Sequence, residues 1–227
     1  MIKIFSILLV LFSLLFSSQS SYYENAKKHE ENGDIKKALE YYFKAAKKRD
    51  DRALLYLGKL YYQGKHLNQS TINAINYLKK AALLENTKAQ YNLASIYASK
   101  HSGEYHDYKK AYDLFLKLAN KGYAPAQNKI GMFLTHGFGG IEKDYVKAIK
   151  WYEESAKQCY EDAECNLAFM YVNGKGVWKN FGRAYIFAKK GYENKNPICK
   201  AVWDKHSLYK YPKDKSFKFN FFVKPCN

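Results

Sequence analysis

The chain has 227 residues, with 38 lysine and arginine residues against 21 acidic ones and a formal net charge of +17. This length suits one domain or one continuous stack of repeats. Only three of the basic residues are arginines, so the planar guanidinium that reads bases is scarce and specific nucleic-acid recognition is disfavoured. The positive charge suits either attraction to acidic partners or an ordinary solvated, lysine-rich exterior.

The first twenty residues have the pattern of a secretory signal peptide. A short basic start precedes an apolar stretch from Ile4 to Phe16, and small polar residues follow up to Ser20. The alternative is an uncleaved anchor, but this stretch is shorter than the roughly 20 residues that a membrane span needs. We expect residues 1–20 to be a signal peptide, and the protein to be secreted or periplasmic without a later transmembrane span.

From residue 53 onward, one six-residue phrase returns every 36 or 37 residues, beginning at Ala53, Ala89, Ala126 and Ala163. A fixed period of this size indicates one supersecondary unit stacked on copies of itself. Apolar residues around and between the phrases follow the three-to-four spacing of amphipathic helices. The sequence therefore predicts an all-α fold of five helix pairs, over residues 22–48, 51–84, 87–120, 124–158 and 161–193.

A further helix is predicted from about Asn196, with Pro197 in its first turn. It would cap the open end of the stack, because an uncapped terminal repeat exposes an apolar face. The tail, residues 207–227, is basic and aromatic, and Phe217, Phe219 and Phe221 alternate with polar residues as in an extended segment. The tail is expected either to pack over the last helices or to adhere to a membrane or partner.

All four cysteines, Cys159, Cys165, Cys199 and Cys226, lie in the last third of the chain. An even number of cysteines in an exported protein indicates disulfides. Sequence alone leaves every pairing open. We favour Cys159–Cys165, which would clip a helix end to the next helix start, and Cys199–Cys226, which would tie the tail to the last helix. Irregular spacing without interleaved histidines argues against a metal site, and no cofactor is expected.

Residues 124–152 read Ala-Pro-Ala-Gln-x-x-x-Gly, then Gly-x-Gly, then Asp-Tyr-x-Lys-Ala-x-x-Trp-Tyr. This unit resembles a Sel-1-like repeat, a relative of the tetratricopeptide repeat with a longer, glycine-bearing loop between its helices. The resemblance covers most of residues 21–206. It implies a right-handed alpha solenoid of about five helix pairs that binds other proteins.

A narrower resemblance is to the cysteine-rich Sel-1-like proteins of epsilonproteobacteria, which are described as beta-lactamase-like. It implies an alternative function as a beta-lactam-binding or weakly hydrolysing protein. A serine site of that chemistry needs Ser-x-x-Lys with Ser-Asp-Asn and Lys-Thr-Gly partners. Ser207 to Lys210 matches the first motif, but the partner motifs are absent from the chain. No catalytic residue is therefore predicted.

The resemblance to Sel-1-like repeats implies that the first helix of each pair lines the concave side of the solenoid. The residues opposite the packing positions on these helices are amides, lysines and aromatics, which suit an extended peptide. They are Tyr56, Lys59, Gln63, Asn92, Ser95, Ser99, Lys129, Met132, His136, Asn166, Phe169 and Asn173. The alternative is an ordinary solvated face.

The sequence thus favours an exported scaffold that binds a protein or peptide. The positive net charge of the chain suggests that this partner is acidic. The alternatives are the beta-lactam-binding protein and a basic peripheral binder of anionic lipid or cell-wall polymer. Sequence alone leaves the oligomeric state open.

Overall fold

The computed structural model describes residues 22–219, and helices are the only regular secondary structure in that range. The described residues form two compact units, 22–106 and 107–219. The expected signal peptide, Phe221 and Cys226 lie outside the described residues. No helix within the described range has the length and apolar character needed to cross a membrane.

The first unit contains five α-helices in antiparallel succession, and each helix from α2 onward packs on the next. Their bounds are residues 22–31 (α1), Ile35–Lys47 (α2), Asp51–Gln63 (α3), Thr71–Leu83 (α4) and Thr87–Ala98 (α5). A 3₁₀ segment, Lys100–Tyr105, follows α5. The core of the first unit combines small, aromatic and aliphatic side chains, among which Ala26, Tyr42 and Leu57 pack together.

The second unit contains six α-helices and closes with a short 3₁₀ turn, Leu208–Lys210. The helix bounds are Tyr108–Asn120 (α6), Ala124–His136 (α7), Tyr145–Ala156 (α8), Glu161–Asn173 (α9), Phe181–Glu193 (α10) and Pro197–His206 (α11). Each helix of this unit packs on the next along the chain, and α11 also packs on α9, one repeat earlier. The predicted all-α fold of five helix pairs followed by a further helix is therefore confirmed.

The second helix of every pair begins at a capping side chain. Asp34, Ser70, Asp107, Asp144 and Asn180 each accept a hydrogen bond from the backbone N–H three residues further on. Such a bond satisfies one of the donors that the first turn of a helix leaves without an intrahelical partner. Because these capping residues recur at a regular spacing, the starts of the helices can be predicted from the sequence.

A glycine in the recurring phrase allows close approach between the two helices of a pair. A Cβ atom added to Gly131 would lie 2.5 Å from Cε1 of Tyr152, whose side chain is fully buried. The Tyr152 hydroxyl lies 3.1 Å from the Thr135 hydroxyl, so its polar tip is satisfied within the core. Because the buried ring has no room to move, α7 must have a residue without a side chain where α8 crosses it.

The structure corrects the predicted cysteine pairing. Cys165 on α9 is joined to Cys199 on α11, with their Cα atoms 4.7 Å apart, so both favoured pairs, Cys159–Cys165 and Cys199–Cys226, are wrong. Cys159 is also disulfide-bonded. Equivalent positions on α9 and α11 face each other because these helices are one repeat apart in the stack. Gly191 on α10 leaves room for the bond, since a Cβ there would lie 3.0 Å from the Cys165 sulfur.

The described part of the tail packs against α10. The Phe217 and Phe219 rings lie 5.7 and 5.1 Å from the Phe187 ring, measured between centroids. Asp214 accepts a hydrogen bond of 3.1 Å from Nε of Arg183. The pKa of Asp214 is lowered to about 2, first by the hydrogen bond from the Ser216 hydroxyl and then by the bonds from Arg183 and Asn180 to the same carboxylate. Aromatic packing and charge together hold this segment over the last repeat.

Candidate functional site

A pocket of about 140 Å³ opens between α3 and α5 in the first unit. Four residues of the predicted concave face line it: Lys59 and Gln63 from α3, and Asn92 and Ser95 from α5. Side chains three or four residues apart lie on the same face of a helix, so each helix contributes a short polar row. The residues that line the pocket are Gly58, Lys59, Tyr62, Gln63, Leu78, Asn92, Ser95 and Ile96.

The polar side chains of this pocket are largely free for a ligand. Lys59 and Gln63 are exposed and Asn92 is half-buried, and none of the three makes a side-chain hydrogen bond with another described residue. Ser95 uses its hydroxyl to donate to the Tyr91 carbonyl of its own helix, at 2.9 Å. Unsatisfied amides beside apolar Leu78 offer both hydrogen bonds and contact area to a bound chain.

A second, wider pocket of about 630 Å³ lies toward the N-terminal ends of the same helices. Lys59 lines both pockets, and Tyr56 belongs to the second one. The residues that line the second pocket are Tyr23, Asp51, Arg52, Leu55, Tyr56, Lys59, Asn86, Thr87 and Lys88. We call the two pockets together the α3–α5 groove.

Charge in the α3–α5 groove is only partly compensated. Arg52 is held by two carboxylates, with Nη2 2.9 Å from Asp50 and Nη1 2.8 Å from Glu24. Lys59 and Lys88 form no ion pair with a described residue. The groove therefore presents two open ammonium groups against one carboxylate, Asp51, and this balance favours a ligand that carries negative charge.

Tyr56 is occupied by a structural role. Its hydroxyl donates to the Glu30 carboxylate, which also accepts a 2.8 Å hydrogen bond from the buried Tyr42. Burial and the hydrogen bond to Glu30 raise the pKa of Tyr56 well above its usual value. Ser99, the last candidate in this unit, lies after α5, where its hydroxyl accepts from the His101 backbone N–H. Neither side chain is free in the way that the Asn92 amide is.

In the second unit, the predicted face on α7 is partly withdrawn from solvent. Lys129 is half-buried, and burial lowers its pKa while the nearby Asp162 carboxylate opposes that shift. His136 is exposed at the end of α7, where it stacks on Phe138 with ring centroids 5.2 Å apart; partial desolvation, then the nearby Lys175 and Lys143 charges, lower its pKa. Met132 is half-buried between them on the same helix.

The predicted face on α9 is engaged within the unit. The Asn166 amide donates to the Asn128 side chain at 2.8 Å, and the Asn173 amide donates to the Phe169 carbonyl at 2.8 Å. The Lys175 ammonium lies 5.0 Å from the Phe169 ring centroid. A ligand on this face would have to displace these contacts, whereas Lys59, Gln63 and Asn92 in the first pocket hold no such contacts.

Sequence reasoning missed several groove residues. Tyr62 and Ile96 belong to the first helices of their pairs, but the predicted concave face does not include them. Tyr62 lies three residues after Lys59, so the helical period could have found it. Leu78 comes from α4, the second helix of the pair, and only the packing of α4 on α3 brings it to the pocket.

Other chemistry finds little support in the described range. Residues 22–219 contain no group of three or more His, Cys, Asp and Glu side chains that could hold a metal ion. Ser207, the serine of the Ser-x-x-Lys match, lies at the C-terminal end of α11 with a left-handed backbone (φ 50°), and its carbonyl accepts from the Lys210 N–H. This is the geometry of a helix end.

The chain resembles known proteins both in sequence and in fold. It is 30% identical over 164 residues to chitin synthase regulatory factor 3 of Schizosaccharomyces pombe, covering 69% of this chain and 18% of the relative. It is 34% identical over 111 residues to the alginate biosynthesis protein AlgK of Pseudomonas syringae, covering 49% of this chain and 23% of the relative. The chain thus spans less than a quarter of the length of these two relatives.

Among solved structures, a protective antigen of uropathogenic Escherichia coli with an SLR fold superposes with a TM-score of 0.73 at 27% identity, covering 85% of this chain and 42% of the antigen. A Sel1 repeat protein of Oxalobacter formigenes gives 0.72 at 24% identity, covering 87% and 83% of the two chains, and supports the fold alone.

The family model of the Sel1 repeat matches five successive segments, and these coincide with the helix pairs. The matched residues are 22–50, 51–86, 87–123, 124–158 and 161–196. Because the match extends over most of the chain and its period agrees with the observed helices, this protein belongs to the Sel1 repeat family.

Proposed function

We propose that this protein is an exported, non-enzymatic scaffold whose α3–α5 groove binds an extended, acidic peptide segment of a partner protein. Sel1 repeats in general act as scaffolds for protein interactions, and repeat stacks offer elongated surfaces for this purpose. The observation that carries the proposal is the pocket between α3 and α5, where the polar ends of Lys59, Gln63 and Asn92 are left without partners among the described residues.

The two adjoining pockets of the groove suit an extended peptide. The first pocket, at about 140 Å³, suits a single side chain, and the second, at about 630 Å³, continues along the same helices. A peptide that places one side chain in the first pocket and runs on toward Lys88 would use both.

The groove residues suggest how such a peptide is held. Asn92 and Gln63 each offer a donor and an acceptor, which match the N–H and C=O groups of an extended backbone. Tyr62 and Leu78 supply apolar contact for the seated side chain. Lys59, which lines both pockets, would pair with a carboxylate of the peptide.

Two observations support export to an oxidising compartment. Residues 1–20 have the signal-peptide pattern, and Cys165 is disulfide-bonded to Cys199. Disulfides persist in secreted and periplasmic proteins and are rare in the cytosol. We therefore propose a partner that is itself exposed to the periplasm or the exterior. Proteins of polysaccharide synthesis are the first to screen, because two relatives are named for alginate biosynthesis and chitin synthase regulation.

Site-specific photocrosslinking in living cells tests the groove. A photoreactive residue at Gln63, at the edge of the groove, is compared with the same residue at Asn76, an exposed position on α4. We expect position 63 to form a crosslink to one partner, identified by mass spectrometry, and position 76 to form none. Equal crosslinking at both positions would refute the groove assignment.

A matched pair of double variants then tests the residues themselves. Lys59→Ala/Asn92→Ala should lower the crosslink yield and, for the identified peptide, weaken binding by about tenfold or more. Lys79→Ala/Asn76→Ala removes the same side-chain types from the exposed face of α4 and should leave both unchanged. A groove variant that binds like the wild type would contradict the proposal.

A further inference from the structure

The C-terminal end of the second unit carries exposed aromatic rings among lysines. The loop between α9 and α10 places Trp178 at its tip with 95% of the residue's surface exposed. Tyr209 is 65% exposed and Tyr211 is 38% exposed. Lone apolar residues on a surface are ordinary, but a tryptophan this open to water is not, because its large ring is normally buried at least in part.

Contacts join Tyr209 and Tyr211 to α10, and Trp178 lies in the loop just before this helix. The Phe181 ring, three residues after Trp178, stacks on Tyr211 with centroids 4.4 Å apart, and it lies 6.2 Å from the His206 ring. Tyr209 and Tyr211 then share a depression of about 320 Å³ with Tyr185, Ile186, Lys189, Pro212 and Lys213. We call Trp178, Lys179, Lys205, Tyr209, Tyr211 and Lys213 the C-terminal basic face.

Basic residues dominate the charge of this region. Between Lys175 and Lys190 the chain has five basic residues and no acidic one. Residues 205–219 contain five lysines and a single acid, Asp214, which is already bonded to Arg183. Lys179, Lys205 and Lys213 form no ion pair with a described residue, and the first two both act on His206, whose pKa is lowered chiefly by burial and then by these lysines.

We propose that the C-terminal basic face binds the surface of a bilayer that contains anionic phospholipid. The lysines lie at the plane of the lipid phosphates, and the Trp178 ring inserts at the headgroup level. Tryptophan and tyrosine favour this depth because their rings are apolar and their tips are polar. Each lysine near an anionic surface adds to the attraction, which decays within a Debye length.

The exposed rings are the reason to choose a bilayer over an anionic polymer. A soluble polyanion would be held by the lysines alone, and its affinity would not depend on Trp178. A bilayer offers an apolar layer just below the phosphates, so it alone provides a place for an exposed indole ring. The experiment therefore separates the two by the response to loss of the ring.

The test uses the protein as the cell produces it, mixed with vesicles of phosphatidylcholine with or without phosphatidylglycerol. We expect co-sedimentation with the anionic vesicles, lost when the salt concentration rises from about 0.05 to about 0.5 M as screening shortens the Debye length. Bromine-labelled lipid should quench tryptophan fluorescence in wild type and not in Trp178→Phe. The difference in quenching between the two proteins reports on Trp178, because Trp151 and Trp203 are present in both, and it is independent of any apolar segment elsewhere in the chain.

Two variants have matched controls in the first unit. Lys179→Glu/Lys213→Glu should weaken binding to anionic vesicles by about tenfold or more, and Lys65→Glu/Lys79→Glu, with the same charge change, should have a much smaller effect. Trp178→Ala should weaken binding by about fivefold or more, whereas Leu83→Ala, which removes another exposed apolar side chain, should not.

Two results would overturn the proposal. One is binding that is the same with and without anionic lipid. The other is binding to soluble polyglutamate that matches vesicle binding and is unaffected by Trp178→Ala, since that result assigns the face to anionic polymers. The groove variant Lys59→Ala/Asn92→Ala should bind vesicles like wild type, so this test and the groove test can fail separately.

Discussion

Cys165 and Cys199 are 34 residues apart in sequence and are joined by a disulfide that links α9 to α11. The bond runs between equivalent helices of successive repeats, and α10 makes room for it at Gly191. It therefore fastens the final helix to the repeat before it, at the end of the stack where each helix has fewest neighbours.

Replacing both cysteines tests the contribution of this bond. Cys165→Ser/Cys199→Ser should lower the free energy of unfolding by about 3–4 kcal/mol, because closing a loop of this length restricts the unfolded chain. Urea unfolding followed by circular dichroism measures the loss. Non-reducing digestion of the wild type with trypsin and Glu-C, which cuts after Glu161 between Cys159 and Cys165, should yield a peptide pair that links Cys165 to Cys199. A peptide linking Cys159 to Cys165 would contradict the structure.

Gly131→Ala should destabilise the protein although alanine is the better helix former. The added Cβ would collide with the buried Tyr152 ring, and overpacking of this kind costs about 1–3 kcal/mol. Thermal and urea unfolding measure the change. The double variant Gly131→Ala/Tyr152→Leu serves as the control, because a smaller side chain on α8 should make the alanine at 131 tolerable. Equal losses in both backgrounds would show that the cause lies elsewhere.

Glu164 makes the stability of the protein depend on pH, because the equivalent position in two other repeats is a glutamine that does not titrate. At the same place in the recurring phrase, Gln90 and Gln127 donate to carbonyls of the preceding helix, Ala82 at 3.1 Å and Ala119 at 3.3 Å. An ionised Glu164 has no proton to donate, and burial raises the pKa of this carboxyl to about 7. The folded state thus prefers the protonated form.

A raised pKa stabilises the fold below the pKa of the unfolded chain, near 4.3, and this stability is lost as the pH rises toward 7. We expect Glu164 to cost on the order of 3 kcal/mol above pH 7. Glu164→Gln should be more stable than wild type at pH 8, with little difference at pH 4. Glu142→Gln, at an exposed loop position, is the control. Parallel pH profiles for wild type and Glu164→Gln would contradict this prediction.

Phe217 tests whether the tail stabilises the last repeat. Its ring contacts Phe187 and Tyr171, and the Arg183 guanidinium lies 4.5 Å from the ring centroid. Phe217→Ala should free the tail and expose Phe187, so amide hydrogens of α10 should exchange faster. Tyr209→Ala removes an aromatic that is largely exposed and should leave this exchange unchanged. Unaltered exchange in Phe217→Ala would mean that the tail only rests on the surface.

The helix pairs were predictable because their signals are local. The recurring phrase, the capping residues such as Asp144 and the proline at 197 each act within one or two turns of helix, so they can be read from neighbouring residues. The predicted pairs agree with the observed helices to within a few residues.

The candidate site was predictable only in part. The helical period indicated Lys59, Gln63, Asn92 and Ser95, which line the pocket between α3 and α5. It indicated Asn166 equally well, and that amide is instead bonded to Asn128 on the neighbouring helix α7. Whether a polar group is free depends on the neighbour across the helix interface, and the period of one helix carries no information about that neighbour.

By itself, the sequence determined the all-α repeat class, the family and the helix bounds, because each depends on residues a few positions apart. The tertiary structure alone decided that Cys165 pairs with Cys199, that Leu78 enters the pocket and that Trp178 stands exposed. These relationships either join residues tens of positions apart or depend on whether neighbouring elements pack over a side chain. They follow from the packing of successive helices, which brings distant positions together at distances that no local pattern encodes.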